Sequence, residues 1–411
     1  MISEYISKLE QKIDLTYDQM TEIMSEVLSG KTNNDQNMGI LSNLSQKGET
    51  DDELLGMLDK MQELSLKIKP KNNGTVIDMC GTGGDKLQTF NISTTASFVV
   101  AAAGGMVAKH GNRSSSGISG SADIFEYFGY DLNSEPSVVA DILEKHRICF
   151  MFAQKFHPAM KNVSTARKQL GIRTAFNLLG PLSNPANVKN QLIGVFSNDF
   201  LTRLPQILKR KGVENIMTVR SNDGMDEFST SSTNNVCILK NNVVSVNTID
   251  PEFLGLHKSS LIDIQIKTKK DAIDSFVGVL NNTANQSMIE TTALNAAAGL
   301  LVGNIVNSFE EGVELALNTI IDGSEQCLTD NNQAPPPSSD HWLEQADHGS
   351  VILVVKDPDV DDCLTPTIYG FTIQGGSGSK ISRNLAPEGE EPFKQIQRIG
   401  GGILSKGANP I

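Results

Sequence analysis

Three separate stretches carry residue types suited to holding an anion beside a divalent cation. In the first, the apolar run TVIDMC (75–80) leads into Gly81, Thr82, Gly83, Gly84 and Asp85, and Asn91, Ser93 and Thr94 follow shortly after. Glycines let the backbone approach a phosphate closely, and N–H groups at a helix start point toward it. The hydroxyls of Ser93 and Thr94 add donors or a metal ligand. The spacing is neither a Walker A loop nor GxGxxG, because Lys86 stands where the last glycine would be. Taken alone, the loop also reads as a tight turn with ordinary helix capping.

The second stretch is Lys109-His110-Gly111-Asn112-Arg113, followed by a Ser/Gly tract that reaches Ser121. Lys109 and Arg113 are cations beside flexible donors, an arrangement suited to phosphate or pyrophosphate. The Asn112 amide could hold a sugar hydroxyl or an amine. His110 reads as a structural histidine rather than a general base, since no acid is visible to partner it. The third stretch is the pair Asp226-Glu227, two residues after Gly224. Adjacent carboxylates suit Mg²⁺, which takes one or two of them together with phosphates and waters. The plain alternative is a solvated turn.

These stretches need elements to carry them. Residues 1–70 have apolar residues at helical spacing, such as Met20, Ile23, Met24 and Leu28, and no alternating β-type runs. From Thr75 onward short apolar runs alternate with helix-like segments. TVIDMC, MVAK, ICFMFA, QLIGVFS and IMTVRS are the expected strands, which makes a mainly parallel α/β sheet. Two closing helices are expected at 288–303 and 308–323, with Ser308 and Glu311 as a capping box and Asn304 and Gly323 as stops. Beyond Cys327, DNNQAPPPSSD has the composition of a linker, and the glycine-rich segment after it reads as short β runs.

Composition narrows the function classes. With 39% hydrophobic and 20% charged residues the chain can build a core, and a net charge of −13 repels nucleic-acid phosphates and anionic headgroups at long range. Any phosphate site must therefore be a focused cleft. The five cysteines are scattered without CxxC spacing, which points to a reducing compartment rather than a disulfide framework or a zinc site. No run of 18 uninterrupted apolar residues marks a membrane span, and the N-terminus has no secretory pattern. The expected location is cytoplasmic.

In order and spacing, GTGGD, NIST, KHGNR and SGSAD resemble the anthranilate phosphoribosyltransferase family. His157-Pro158-Ala159-Met160-Lys161 with Arg167 strengthens the match, as do Asn177-Leu178-Leu179-Gly180-Pro181-Leu182 with Asn184-Pro185, and Gly224 to Ser229. The resemblance covers about residues 1–325. It implies a small helical domain, residues 1–72 with helices from about 160–185, and a larger α/β domain over 73–328 with a mainly parallel central sheet. It also implies a homodimer formed through the helical domain.

The resemblance further implies that Gly81, Thr82, Gly83, Gly84 and Asp85 cradle the phosphoribosyl pyrophosphate donor. Asn91, Ser93, Thr94, Lys109 and Ser121 would bind it too. Gly81, Asn112, Arg167 and Pro181 would meet anthranilate, Arg167 through the carboxylate. Ser93, Asp226 and Glu227 would bind Mg²⁺. No residue is assigned as a general acid or base. Two nearby readings compete: a pyrimidine-nucleoside phosphorylase, opposed by KHGNR, HPAMK and NLLGPLSNP, and a non-catalytic relative that binds nucleic acid, opposed by the net charge.

Two positions depart from the family pattern. Ile118 stands where a lysine is frequent, which removes one cation near the donor, and Lys86 stands where a small residue is common. The remainder is expected as a linker (329–348) and a β-rich appendage (349–411). Within the appendage GFTIQGG and GGGILSKGANPI resemble opening rungs of a truncated parallel β-helix. Such folds need several stacked rungs, so the appendage is expected to be dispensable. Truncation after Thr329 should leave specific activity unchanged; loss of activity by a truncated protein that is still folded would reject that expectation.

Overall fold

The computed structural model describes residues 2–70, 74–85, 87–114 and 117–330, with side chains through 321, and beyond them four short strands. Lys86 and the stretches 331–352 and 370–395 lie outside the described residues. The chain opens with α1 (Ile2–Glu10), α2 (Tyr17–Leu28), α3 (Asn34–Lys47) and α4 (Asp51–Glu63). Reciprocal capping boxes start three of them: Thr16 with Gln19, Asn33 with Gln36, and Thr50 with Glu53. Each satisfies backbone N–H groups that a first helical turn leaves unpaired.

The α/β region follows as β1 (Val76–Gly81), α5 (Ile92–Ala102), β2 (Met106–Gly111), α6 (Ser121–Tyr127), α7 (Pro136–His146), β3 (Ile148–Phe152) and α8 (Ala153–Phe156). Next come α9 (Lys161–Leu170), α10 (Phe176–Leu182), β4 (Asn190–Gly194), α11 (Asp199–Arg210) and β5 (Asn215–Ser221). Then follow β6 (Asn234–Lys240), β7 (Val243–Ile249), α12 (Lys269–Leu280), α13 (Gln286–Val302) and α14 (Phe309–Asp330). The strands form one sheet in the order β3-β2-β1-β4-β5-β6-β7. The first five are parallel, as their continuous apolar runs predict, and β6 and β7 are antiparallel.

The β6–β7 hairpin was absent from the sequence expectation. Its turn is Asn241-Asn242, both at positive φ (51° and 63°), the geometry of a tight two-residue hairpin loop. The last helix also differs: α14 continues through Gly323, the expected stop, to Asp330. A single glycine weakens a helix by about 1 kcal/mol and does not by itself end one. Its start is as expected in part, since Ser308 Oγ accepts from the Glu311 N–H (3.2 Å), while the Glu311 carboxylate takes the N–H of Asn307 (2.8 Å). In the appendage, Leu353–Val355 pairs with Thr367–Tyr369 and Ile396–Ile399 with Gly402–Ser405, both antiparallel. Rungs of a parallel β-helix would pair in parallel; GFTIQGG lies outside the described residues.

Both faces of the five parallel strands are buried. On one face Ile77, Met79, Leu192, Met217 and Val219 join α5 and α13 in the larger core. On the other, Ile193, Val195 and Ile216 join α11 and a cluster from the helical unit. That cluster holds Leu9, Met20, Ile23, Leu44, Leu54 and Leu58 together with Val163, Ala166, Phe176 and Leu179. The N-terminal helices thus pack with α9 and α10. Arg203 and Arg210 of α11, with Lys211 just past its end, pair with Asp51, Asp52 and Asp59 of α4, which ties the helical unit to the sheet.

The strand order reverses between β1 and β4, so a crevice opens at their carboxyl ends, the place where ligands bind in sheets of this kind. Below it lies a polar layer. The buried Asp78 carboxylate accepts from the His110 N–H (3.3 Å) and Gln191 Nε2 (3.4 Å), and burial holds its carboxyl above the ordinary range. The His110 and His157 rings lie 5.0 Å apart. Burial lowers their pKa values to about 3 and about 4. The unfolded chain therefore takes up protons below about pH 6.5 that the folded one refuses. Stability drawn from these histidines is full above that pH and declines below it, by about 1.4 kcal/mol per pH unit for each. Asp78 acts in the opposite sense, so the clean test is a comparison. From pH 7.5 to 5.0 the melting temperature of His157→Gln should fall less than that of the unsubstituted protein; parallel curves would contradict the assignment.

Candidate active site

The crevice floor is made by backbone contacts that only small residues allow. Gly81 and Gly194 face each other in register at the ends of β1 and β4, and Asp226 crosses above them. A Cβ on Gly194 would overlap the Asp226 carbonyl oxygen, and one on Gly81 would lie 2.9 Å from Asp226 Oδ2. Gly83 and Gly84 take positive φ (70° and 92°), which an L side chain rarely adopts. The turn is held by Thr82, whose N–H donates to the Gly194 carbonyl (2.9 Å) and whose Oγ1 accepts from the Phe196 N–H (3.0 Å).

Onto this floor the three sequence stretches converge. Asp226 Oδ2 accepts the Gly83 N–H (2.6 Å), and Glu227 Oε1 accepts the Ser93 N–H (3.1 Å) in the first turn of α5. Lys109 of β2 is 1% exposed, and its Nζ donates to the Met79 carbonyl (2.6 Å) and to Ser93 Oγ (3.2 Å). Thr94 Oγ1 donates to Ser121 Oγ (2.9 Å). Asn91 caps α5 without a side-chain cap bond; its Nδ2 donates to the Ser119 carbonyl (3.3 Å) and its buried Oδ1 has no partner. Asp85 accepts from the Leu87 N–H (3.1 Å) and lies close enough to Asp226 to repel it.

The electrostatics follow from that crowding. Burial, then the negative charge of Asp85, pushes the Asp226 carboxyl up to about 7. Burial, then Asp226 and Asp85, pushes Glu227 up to about 8. Burial also lowers the Lys109 ammonium, against the pull of Asp78 and Glu227. Three acids outnumber the Lys109 ammonium and the Arg173 guanidinium near Asp226, an excess of negative charge that a bound cation would offset. Hard oxygen ligands from Asp226, Glu227 and Ser93 fit magnesium. Among the described residues no three His, Cys, Asp or Glu side chains are arranged to hold a metal without help.

Gly81 aside, the residues expected to meet anthranilate sit on α9, on α10 and just past β2. Arg167 on α9 is half-buried, with its guanidinium carbon 5.3 Å from the centre of the Phe176 ring. Among the described residues its guanidinium has no hydrogen-bond or ionic partner, whereas the neighbouring Lys168 is exposed. Pro181 sits inside α10, and its carbonyl accepts from Gln191 Nε2 (3.2 Å). Asn112 is exposed, and its Oδ1 accepts from the Arg113 N–H (2.8 Å).

One expectation changes. Arg113 is not a free cation for phosphate: it forms a bidentate pair with Glu126 (2.6 and 2.7 Å) and reaches Asp123 (3.5 Å). Ile118 is partly buried and packs against the larger core. His110 is a buried structural residue, as expected, and its low pKa makes it a poor base.

Several residues that shape the site went unnoticed in the sequence. Asn295 is buried in the C-terminal half of α13, where its neighbours from Ala293 to Val302 are apolar or glycine. Its Oδ1 accepts the Phe228 N–H (3.0 Å), and its Nδ2 donates to the carbonyls of Phe228 and Thr291 (both 2.8 Å). One side chain thus clamps the backbone next to Glu227. Asp223 accepts from Ser229 Oγ (2.6 Å) and Ser231 Oγ, which closes the loop that carries the acidic pair. A polar residue in the apolar run ALNAAAGLLV is the one sequence signal for Asn295, and it does not name the partner.

Comparison with known proteins agrees with this geometry. The helical bundle domain of the glycosyl transferase family matches residues 3–65, and the a/b domain of the same family matches residues 73–326. The chain is 79% identical over 328 residues to the anthranilate phosphoribosyltransferase of Nitrosopumilus maritimus, covering 80% of this chain and 94% of that one. It is 50% identical to the Cenarchaeum symbiosum enzyme of that name, over 79% of this chain and 94% of the relative. The Thermus thermophilus anthranilate phosphoribosyltransferase structure superposes with a TM-score of 0.73 at 32% identity, covering 78% of this chain and 95% of that one. The Saccharomyces cerevisiae protein of that name, solved in complex with PRPP and Mg, shares the fold, with a TM-score of 0.71 at 24% identity over 79% of this chain and 94% of that one. On these matches, and on the glycine, lysine and carboxylate layout they accompany, the chain belongs to the anthranilate phosphoribosyltransferase family.

Proposed function

We propose that this protein transfers the 5-phosphoribosyl group of phosphoribosyl pyrophosphate to the amine of anthranilate, releasing pyrophosphate and forming N-(5-phosphoribosyl)anthranilate, a step of tryptophan biosynthesis. The observation that carries the reading is the convergence of Gly81–Asp85, Ser93, Lys109, Asp226 and Glu227 on the crevice where β1 and β4 part. That set can hold a pyrophosphate and the cation that neutralises it.

Each group has a task its chemistry suits. The Gly81–Gly84 turn and the N–H groups at the start of α5 receive the donor's phosphate oxygens. Thr94 and Ser121, already paired, offer hydroxyls to the donor, and Asn91 offers its unpartnered Oδ1 to a ribose hydroxyl. Lys109 and the carboxylates orient the pyrophosphate so that it departs from the sugar carbon on the side facing the glycine loop. Magnesium, held by Asp226, Glu227 and Ser93, would supply charge neutralisation of the leaving pyrophosphate. Arg167 grips the anthranilate carboxylate with its planar fork, with Asn112 and Pro181 flanking the ring, so the neutral amine meets the sugar from the opposite face. The amine is nucleophilic without help, and no general base is assigned. The protein is read as a cytoplasmic homodimer assembled through the helical unit. No described helix is long and apolar enough to cross a membrane.

Two substitutions separate the roles. Loss of anthranilate fluorescence should require protein, donor and Mg²⁺ together, and Arg167→Ala should raise the KM for anthranilate roughly ten- to a hundredfold with the donor KM little changed. An unchanged anthranilate KM would remove Arg167 from the acceptor site. Asn295→Ala should raise the Mg²⁺ concentration for half-maximal rate roughly tenfold, as loss of a group that orients a metal ligand does. Leu294→Ala, on the same helix, should lower the melting temperature without that change. Equal Mg²⁺ curves for the two variants would reduce Asn295 to a packing residue.

A further inference from the structure

Arg173 lies in the short connection between α9 and α10, in the part of the chain that packs with the N-terminal helices. Its backbone is anchored there: Ser45 Oγ of α3 donates to the Arg173 carbonyl (2.9 Å). Its side chain leaves the helical unit and crosses to the donor loop. The guanidinium carbon stacks 3.5 Å from the centre of the Phe196 ring, just past β4. Nη2 reaches the Gly84 carbonyl at 3.5 Å, at the outer limit of a hydrogen bond. A Cβ on Gly84 would collide with that nitrogen, so the glycine is what lets the guanidinium lie against the loop. Nη1 is buried and has no partner.

A buried, unpaired guanidinium N–H is costly unless an acceptor is meant to reach it. No carboxylate salt-bridges Arg173 among the described residues, in contrast to Arg113 and Arg203, which are spent on Glu126 and Asp51. Stacking on Phe196 fixes the plane of the fork and leaves its edge free, the arrangement that favours bidentate recognition of phosphate. The loop beside it is the one read above as the pyrophosphate cradle, and among the described residues Lys109 is the other cation hydrogen-bonded within that site.

We propose that Arg173 is a donor-binding residue, a cation contributed by the helical unit that contacts the pyrophosphate held by the Gly81–Asp85 loop. The proposal rests on the donor assignment made above. The donor then touches both units at once, Arg173 from one side and the glycine loop and Lys109 from the other. Donor binding therefore stiffens the junction between them, and anthranilate, gripped by Arg167, does not need Arg173.

The test compares Arg173→Gln and Arg173→Lys with the unsubstituted enzyme, using Mg²⁺ with phosphoribosyl pyrophosphate and, separately, Mg²⁺ with inorganic pyrophosphate as probes. Arg173→Gln should raise the donor KM and the pyrophosphate inhibition constant together, by roughly ten- to a hundredfold, with the anthranilate KM within about twofold. It should also shrink the rise in melting temperature produced by Mg²⁺ with pyrophosphate. Arg173→Lys, which keeps the charge without the fork, should recover part of both losses. A shift in the anthranilate KM alone would place Arg173 on the acceptor side and overturn the proposal. So would a lowered melting temperature with unchanged KM and inhibition constants, the signature of a structural role. If the unsubstituted protein fails to turn over or bind the donor, the functional assignment falls instead; if it works and Arg173→Gln matches it, only the role of Arg173 is lost.

Discussion

The site depends on how closely a loop can approach the ends of two strands. Gly81 and Gly194 meet in register, and Asp226 lies across them with its backbone where a Cβ on Gly194 would stand. That contact sets the height of the loop over the crevice. From it follow the reach of Asp226 to the Gly83 N–H and of Glu227 to the first turn of α5. The Asn295 clamp on Phe228 and the serine bonds to Asp223 hold the rest of the loop at that height. A carboxylate that must share a metal with phosphate tolerates little misplacement, so backbone contacts and buried hydrogen bonds govern the chemistry as much as the acids do.

A net charge of −13 and the phosphate site proposed for the crevice are compatible because the charges are placed differently. Most of the acids face water, where screening weakens them within about 8–10 Å. In the crevice the opposing groups are few and dry. Lys109 is sequestered against the Met79 carbonyl and Ser93, and the arginines of the α9–α10 region stack on Phe176 and Phe196 instead of pairing with surface carboxylates. Aromatic stacking keeps a guanidinium oriented without using its N–H groups.

Much of this was legible in the sequence where the signal is local. Five parallel strands appear as short apolar runs because both faces of the sheet are buried, and the glycine loop, KHGNR and the acidic pair name themselves by residue type. What stayed hidden depends on partners far along the chain. Arg113 and Arg173 are the same residue type near similar loops. One is neutralised by Glu126 on the helix that follows, and the other lies beside a glycine 89 positions away. Asn295 gains its meaning only when α13 is laid against Phe228, 67 residues earlier. The β6–β7 hairpin was missed because β7 is an exposed edge strand whose valines face solvent, so it lacks the half-buried alternation that marks a strand.

The helical unit is assembled from two distant pieces of chain, α1–α4 and α9–α10, with three strands of the sheet between them. During synthesis the N-terminal helices emerge with Met20, Leu44 and Leu58 ready to be covered, yet Val163, Phe176 and Leu179 arrive only about a hundred residues later. At typical elongation rates that interval lasts on the order of 5–20 s. Over it the nascent chain exposes an apolar face that its own sequence cannot yet close, and late closure of this kind slows folding. Closure of the helical unit thus waits on α9 and α10, and the nascent N-terminus is where chaperone contact would matter most.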